Sequence, residues 1–469
     1  MGMTLMGLIF WPLSFLFFKR PQRLLELAMI GGVFQAAAVL VLGGLGLQPP
    51  MAPALIFMGF IGLQAALGVK FPRVGRVLLF CMPLLLTLGW TIFGSLVMPR
   101  LFEGSVQVWP QKLDAVGTRV PLAPSRGNFS QDSYVILDAA IFVAAICYLM
   151  RQEADLKRLY GAYLLGGVLT CVIGFWEMAH RLVGAIPFPK ELFYSNPSWA
   201  ILDTQMSGPV PRINSTFSEP AACATALAGF VYSTTWCILR GYGGWATRLV
   251  LAGSVLCLLV TTSTTGYIAL AAGIGLLMVY AIVSRSSHLM KKLIIFIFGS
   301  VLCFGLMTAV LSAFAPDVIK AAAGVMIDTQ GKKQSASYEE RSQKDADSMQ
   351  LLFDTYGLGA GWGSNRSSSL MPSFLSTVGI VGVFGLVVWN LRLFLSTVKA
   401  LRIPDREQSV EAWMVEATLT ALLGRTIGTM ISGPVLGTVD FYILIAMLVT
   451  SIIKLRDRAR LEGRGIRIA

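Results

Sequence analysis

Arg212 and Glu219 flank the stretch I-N-S-T-F-S, where a polar segment gives way to an apolar one. An arginine offers a planar fork of donors that keeps its proton, suited to phosphate or carboxylate. A carboxylate beside it is the group that takes a proton from a hydroxyl. Two readings of Glu219 are open: a base at a membrane surface, or a carboxylate complementing the positive end of a helix begun by Ser218 and Pro220. Farther along, the capping box S-Y-E-E predicts a helix from about Tyr338 to Tyr356. Arg341, Asp345 and Ser348 share one strip of that helix by their spacing. Tyr338, Met349, Leu352, Phe353 and Tyr356 form an apolar stripe, expected on the outer surface of the molecule. Asp345 is the second candidate base. Next comes G-L-G-A-G-W-G-S-N-R, Gly357 to Arg366. Alternate glycines, Gly359 and Gly361 among them, permit positive φ and leave backbone N–H groups open. Such a nest binds an anion, here with Arg366 beside it; the plainer reading is a flexible return into the next apolar segment. Arg425, in A-L-L-G-R-T-I-G, lies inside an apolar run, where a cation needs a partner or a wet cavity. Asp440 is one candidate partner and a bound phosphate another.

These residues must be positioned by membrane-embedded elements. The chain of 469 residues is 55% hydrophobic and only 13% charged. A soluble chain carries about a quarter charged residues. The mean hydropathy is +0.69. A spanning helix needs about 20 apolar residues, and about thirteen stretches qualify. They lie near 3–18, 24–46, 51–69, 77–98, 133–150, 159–183, 217–239, 246–262, 264–283, 293–314, 372–397, 411–432 and 436–453. The first is short, and Lys19, Arg20 and Arg23 follow it instead of preceding it, unlike a signal peptide. The expected fold is therefore an all-α polytopic membrane protein, one transmembrane domain over residues 1–469. Residues 315–372 form its largest loop.

Most of the 38 Lys and Arg residues fall in the short connections and the C-terminal tail. The positive-inside rule places those in the cytoplasm. The N-terminus is then outside and the C-terminus inside. Three long loops emerge outside: Met98 to Asp132, Ala185 to Ser218, and Ala315 to Pro372. The formal charge of +13 is largely this bias. It carries no nucleic-acid signal, since no basic–aromatic pattern accompanies it. Arg392 and Glu416 lie toward the cytoplasmic ends of their spans and are expected to snorkel.

All seven cysteines fall in spans, where inert buried thiols are expected. Only two histidines exist, and no CxxC, HExxH or Walker-type motif is present, which argues against a metal or nucleotide site. Sequons occur at Asn128, Asn214 and Asn365 on the outer loops. The hydroxyl-rich turn T-T-S-T-T-G either satisfies backbone carbonyls or meets substrate. The first outer loop shows no identifiable chemistry beyond a cap.

Taken in order, P-R-I-N-S-T-F-S-E-P-A, T-T-S-T-T-G-Y, Y-E-E-R-S-Q and G-L-G-A-G-W-G-S resemble the Wzy-type polysaccharide polymerase and O-antigen ligase superfamily. The likeness runs from about residue 210 to 385 and is nearest to exopolysaccharide polymerases. An R-x15-G pattern of such polymerases fits Arg341 and Gly357; Arg212 meets Gly229 one residue late. The resemblance implies a GT-C-like glycosyltransferase of the bacterial inner membrane without cofactor or metal. It would act on undecaprenyl-diphosphate-linked oligosaccharide, and chain-length regulator and flippase partners are implied with it. Arg212, Glu219 and Arg341 would be catalytic; Arg366, Arg425, Gly359, Gly361 and Asp345 would bind substrate. Ligases carry a His after the glycine-rich loop, where this chain reads N-R-S-S-S-L-M-P-S, so polymerase is favoured over ligase. A lipid-linked oligosaccharide flippase is the rival, against which stands the absence of visible repeats or broken spans.

Overall fold

The computed structural model describes residues 2–110, 118–184, 186–207, 210–283, 290–295, 297–299, 305, 336–403, 409–432 and 437–462. The span expected at 293–314 and the start of the largest loop fall mostly outside these residues. The chain is predominantly helical. Among the described residues, six helices are long and apolar enough to cross a membrane: α4 (Val74–Leu101), α5 (Arg126–Leu149), α6 (Leu156–Val183), α8 (Pro220–Arg240), α10 (Thr264–Val283) and α12 (Leu370–Ala400). Around them lie α1 (Leu5–Leu16), α2 (Pro21–Gly31), α3 (Met51–Ala66), the single turn α7 (Lys190–Phe193) and α9 (Trp245–Val260). The amphipathic α11 (Ala336–Asp354), α13 (Val410–Ile431) and α14 (Val439–Glu462) complete the set.

Two expected spans are corrected. The first apolar stretch is a 12-residue helix preceded by a short strand, Gly2–Met3. At 1.5 Å per residue it is about 18 Å long, too short to cross a hydrocarbon core of about 30 Å. The stretch 24–46 is helical only as far as Gly31, in an 11-residue helix that is likewise too short to cross. Beyond Gly32 the chain passes through successive turns in the interior, then turns back in the hairpin Leu40–Leu42 and Leu45–Leu47, with Gly2–Met3 as third strand. Ala36, Ala37, Ala38 and Val39 are fully buried. Backbone of this kind survives at depth only when protein groups satisfy it. Here Ala36 donates to the Thr216 carbonyl (3.0 Å) and Asn196 donates to the Ala36 carbonyl (3.0 Å). Ala38 donates to Ser195 Oγ (3.1 Å).

The basic connections gather at one end. Arg73 and Arg76 both reach Asp457 (3.2 and 2.9 Å), and Arg23 and Arg158 both reach Glu26 (3.1 Å each). Lys454 Nζ donates to the Arg151 carbonyl (3.0 Å). Near that end Glu416, expected to snorkel, instead pairs with Arg240 (3.0 Å). α8 and α13 pack against each other through small residues: a Cβ on Gly424 would meet the Ala228 carbonyl oxygen at 2.5 Å. The six described cysteines are free and buried.

Candidate functional site

The first and third long loops fold onto each other. The first is a brace, which its sequence did not reveal. Trp109 Nε1 donates to Asp347 of α11 (3.0 Å), and Arg119 pairs with the same carboxylate (3.4 Å). The Trp109 N–H donates to Asn365 Oδ1 (3.0 Å), and the Arg366 N–H donates to the Trp109 carbonyl (2.9 Å). Leu351 and Leu352 of α11 turn inward, and Leu351 joins Met98, Phe102, Val106 and Leu122 in a separate apolar cluster. The expected stripe is thus rotated: Phe353 and Tyr356 are exposed. The side chain of Tyr338 lies outside the described residues.

The second loop is held from α6. Glu177, in the outer part of that helix, accepts the backbone N–H groups of Asn214 (2.9 Å) and Ser215 (2.7 Å). Arg181, one turn on, faces Glu177 at 3.6 Å. It donates to the carbonyls of Arg212 (2.5 Å) and Gln205 (3.1 Å). Ser215 takes a positive φ of 54°, and its hydroxyl donates to the Thr170 carbonyl (2.7 Å). The effect is to mount Arg212, half-buried, on a fixed backbone beside the hairpin Met206–Ser207 and Val210–Pro211. Its guanidinium makes one hydrogen bond, to Gln205 Oε1 (3.0 Å), and its Nε is buried without a described partner. A buried donor left unpaired is a group waiting for an acceptor.

Three of the expected residues meet through their charges. Burial lowers the Arg212 pKa below its ordinary value, and the neighbouring Arg341 charge pushes the same way; Glu219 and Tyr267 oppose them. Arg341, on the exposed second turn of α11, also acts on Glu340, together with Lys344 and Arg366. The Glu340 carboxyl is held below the usual range, foremost by its hydrogen bond from Lys344. The cluster therefore links Arg212 and Glu219 of the second loop with Arg341 and Arg366 of the third. Arg341, Arg366 and Glu219 form no side-chain hydrogen bond or ion pair with a described residue. Glu219 is itself the N-cap of α8, ahead of Pro220, and its carboxylate makes no capping hydrogen bond. Ser218 is therefore not the N-cap, and Glu219 stands at the positive end of α8, where its charge complements the helix dipole. Tyr267 was visible only as the last letter of T-T-S-T-T-G-Y. Of the preceding hydroxyls, that of Thr261 serves the backbone: it donates to the Leu258 carbonyl (2.6 Å) and accepts from the Ser263 N–H (3.3 Å).

Four expected binding residues lie elsewhere in role. Asp345 accepts four hydrogen bonds: from Ser367 Oγ (2.6 Å), Ser368 N (2.8 Å), Ser369 N (3.1 Å) and Ser369 Oγ (2.6 Å). It fastens α11 to the start of α12, which occupies the lone pairs a base needs. Gly359 and Gly361 do have positive φ, 81° and 91°. Their N–H groups are nevertheless spent inside the protein: Gly359 donates to Thr355 Oγ1 (3.1 Å) and Gly361 to the Thr377 carbonyl (3.0 Å). A Cβ on Gly359 would sit 2.6 Å from the Thr377 carbonyl oxygen. The glycines let the loop press backbone to backbone against the kink of α12 at Gly379, whose φ is 68°. This is a packing seam and not an anion nest. Arg425 is 6% exposed, pairs with Asp440, donates to Thr438 Oγ1 (2.9 Å) and stacks on Phe441. Its partner is the aspartate, apart from the outer cluster.

The sequons are closed as acceptors. Asn214 is fully buried, Asn128 Nδ2 donates to the Trp362 carbonyl (2.7 Å), and Asn365 Nδ2 donates to Ser348 and Ser376 (2.9 and 3.1 Å). No family model matches this chain, and no curated protein matches it.

Proposed function

We propose that this chain is a polytopic glycosyltransferase of the bacterial inner membrane that polymerises lipid-diphosphate-linked oligosaccharide into an exopolysaccharide or O-antigen chain. The reading rests on the motif resemblance together with one structural observation. The charges of Arg341 and Glu219 both act on Arg212, while Arg341 and Glu219 lack a described hydrogen-bond or ion-pair partner. Fixed cations beside a free carboxylate suit a reaction whose leaving group is a diphosphate. In the proposed step a sugar hydroxyl of the acceptor attacks the anomeric carbon of the donor. The new C–O bond forms as the bond to the lipid diphosphate breaks, and the diphosphate leaves with that electron pair. Arg212 and Arg341 take up the developing charge, with Arg366 at the edge. Glu219 receives the hydroxyl proton. The outer loops would face the periplasm, with the N-terminus on that side and the C-terminus in the cytoplasm.

The test is polymer formation by purified protein in vesicles supplied with undecaprenyl-diphosphate-linked repeat units. Wild type is expected to give a ladder of polymer lengths, and Arg212→Ala none. Translocation of the lipid-linked unit without any new glycosidic bond would overturn the reading in favour of a flippase. The broken stretch after Gly32 supports that rival, because transporters build their sites from discontinuous helices.

A further inference from the structure

Midway along α5 stands Asp138, fully buried, with neither carboxylate oxygen bonded to a described residue. Asp440, at the start of α14, is 6% exposed; one oxygen is taken by Arg425 and the other, Oδ1, has no described partner. A Cβ on Gly437, three residues before Asp440, would meet Asp138 Oδ2 at 3.4 Å, so the start of α14 brings its carboxylate into the neighbourhood of Asp138. The end of α2 lies against them, since a Cβ on Gly32 would meet the Asp440 side chain at 2.4 Å. The C-terminal end of a helix carries partial negative charge. The groups around Asp138 are Tyr134 on its own helix and Asp440 and Tyr442 on α14. Arg425 of α13 pairs with Asp440, and Tyr163 of α6 is close to both. Tyr163, whose hydroxyl is also without a described partner, lines a small cavity with Gly32, Gln35, Arg425 and Asp440.

Two carboxylates and a helix C-terminus against one guanidinium leave this buried cluster a positive charge short. Uncompensated charge away from water is strongly disfavoured. We infer that Asp138 and the free Asp440 oxygen together hold one small monovalent cation, Na+ or a proton, at the end of the broken helix α2. Half-helix C-termini with adjacent carboxylates are suited to that task. The site is separate from the outer arginine cluster and does not depend on the reaction proposed for it.

The experiment follows thermal unfolding of the full-length protein in nanodiscs across pH, in NaCl and in choline chloride at equal ionic strength. Wild type and Asp138→Asn are compared, with infrared spectra of both. Bound Na+ raises the wild-type midpoint increasingly with Na+ concentration, as ligand linkage requires, and the shift is lost in the variant. A bound proton gives no difference between the two salts. The wild-type midpoint then falls as pH rises above the ordinary aspartate range, the variant lacks that fall, and a protonated-carboxyl band present in wild type disappears from the variant. Identical salt and pH responses with an unchanged carboxyl band would overturn the inference. Should the variant fail to fold, wild type alone decides: neither a Na+ response nor a protonated-carboxyl band refutes the site.

Discussion

Arg181 Nη1 donates to the carbonyl oxygen of Arg212 at 2.5 Å, so the last turn of α6 holds the backbone that carries the half-buried cation of the candidate site. Glu177 completes the arrangement by taking two backbone N–H groups farther along the same loop. Neither residue belongs to the motif around Arg212, yet the motif has its shape because of them.

Glu177→Ala should therefore destabilise the protein by about 3–5 kcal/mol, the cost of leaving one partner of a buried charged pair alone. Glu177→Gln, which keeps an acceptor, should lose less. Thermal unfolding in detergent reads both, and an alanine variant as stable as wild type would show that the loop is held by other means.

Arg341 is the contrasting case. It is exposed and has no hydrogen-bond or ion-pair partner among the described residues, so Arg341→Ala should leave stability within about 0.5 kcal/mol of wild type. Polymer should nevertheless be lost, and Arg341→Lys should restore part of it, because a point charge replaces the bidentate fork. Full polymer length from the alanine variant at equal expression removes Arg341 from the site.

For Glu219 the substitution is Gln, which keeps shape and removes basicity. A general base contributes about 100- to 10,000-fold, and turnover should fall by that order while donor binding persists. Because Glu219 makes no capping hydrogen bond, stability should change little. Unchanged turnover would assign the base elsewhere.

Much of this was readable in the chain and some was not, for reasons that lie in particular residues. The long apolar helices follow from composition, since 20 apolar residues in a row have few other fates. The run after Gly32 is equally apolar but is not a helix. Its hydrogen bonds come from Thr216, Ser195 and Asn196, far along the chain, and only the pairs Gly31–Gly32 and Gly43–Gly44 hinted at a break. Arg212 and Glu219 drew notice because charge at the border of an apolar segment is costly without a role, and Arg341 because of its place on the helix begun by the capping box and its spacing to Gly357. Asp345 was misjudged because its spacing beside Arg341 says nothing of Ser367 and Ser369, which claim it.

The acid limb of stability should carry a small contribution from Glu340. Its folded-state pKa is depressed, so the stabilisation is present above the ordinary value of 4.5 and is lost as pH falls through the lower folded value. The group is largely exposed, so screening keeps the effect small. Glu340→Gln should lower the unfolding midpoint slightly near neutrality and converge with wild type as pH falls below about 4.5. A variant that differs from wild type equally at every pH would exclude this assignment.

The glycine-rich loop separates two physical pictures most sharply. If it were a flexible re-entry or an open nest, a methyl group at Gly359 would cost only backbone strain, about 1–3 kcal/mol for a positive φ. In the observed seam that methyl would also meet the Thr377 carbonyl oxygen at 2.6 Å, against a backbone that cannot swing aside. Gly359→Ala should accordingly exceed the strain figure and part the loop from the α12 kink. Gly59→Ala, in the middle of α3 with open space around it, should instead stabilise by about 0.5–1 kcal/mol. Side-by-side thermal unfolding of the two variants is the measurement. If Gly359→Ala costs no more than strain alone, Gly357 to Arg366 is not the backbone seam between α11 and α12.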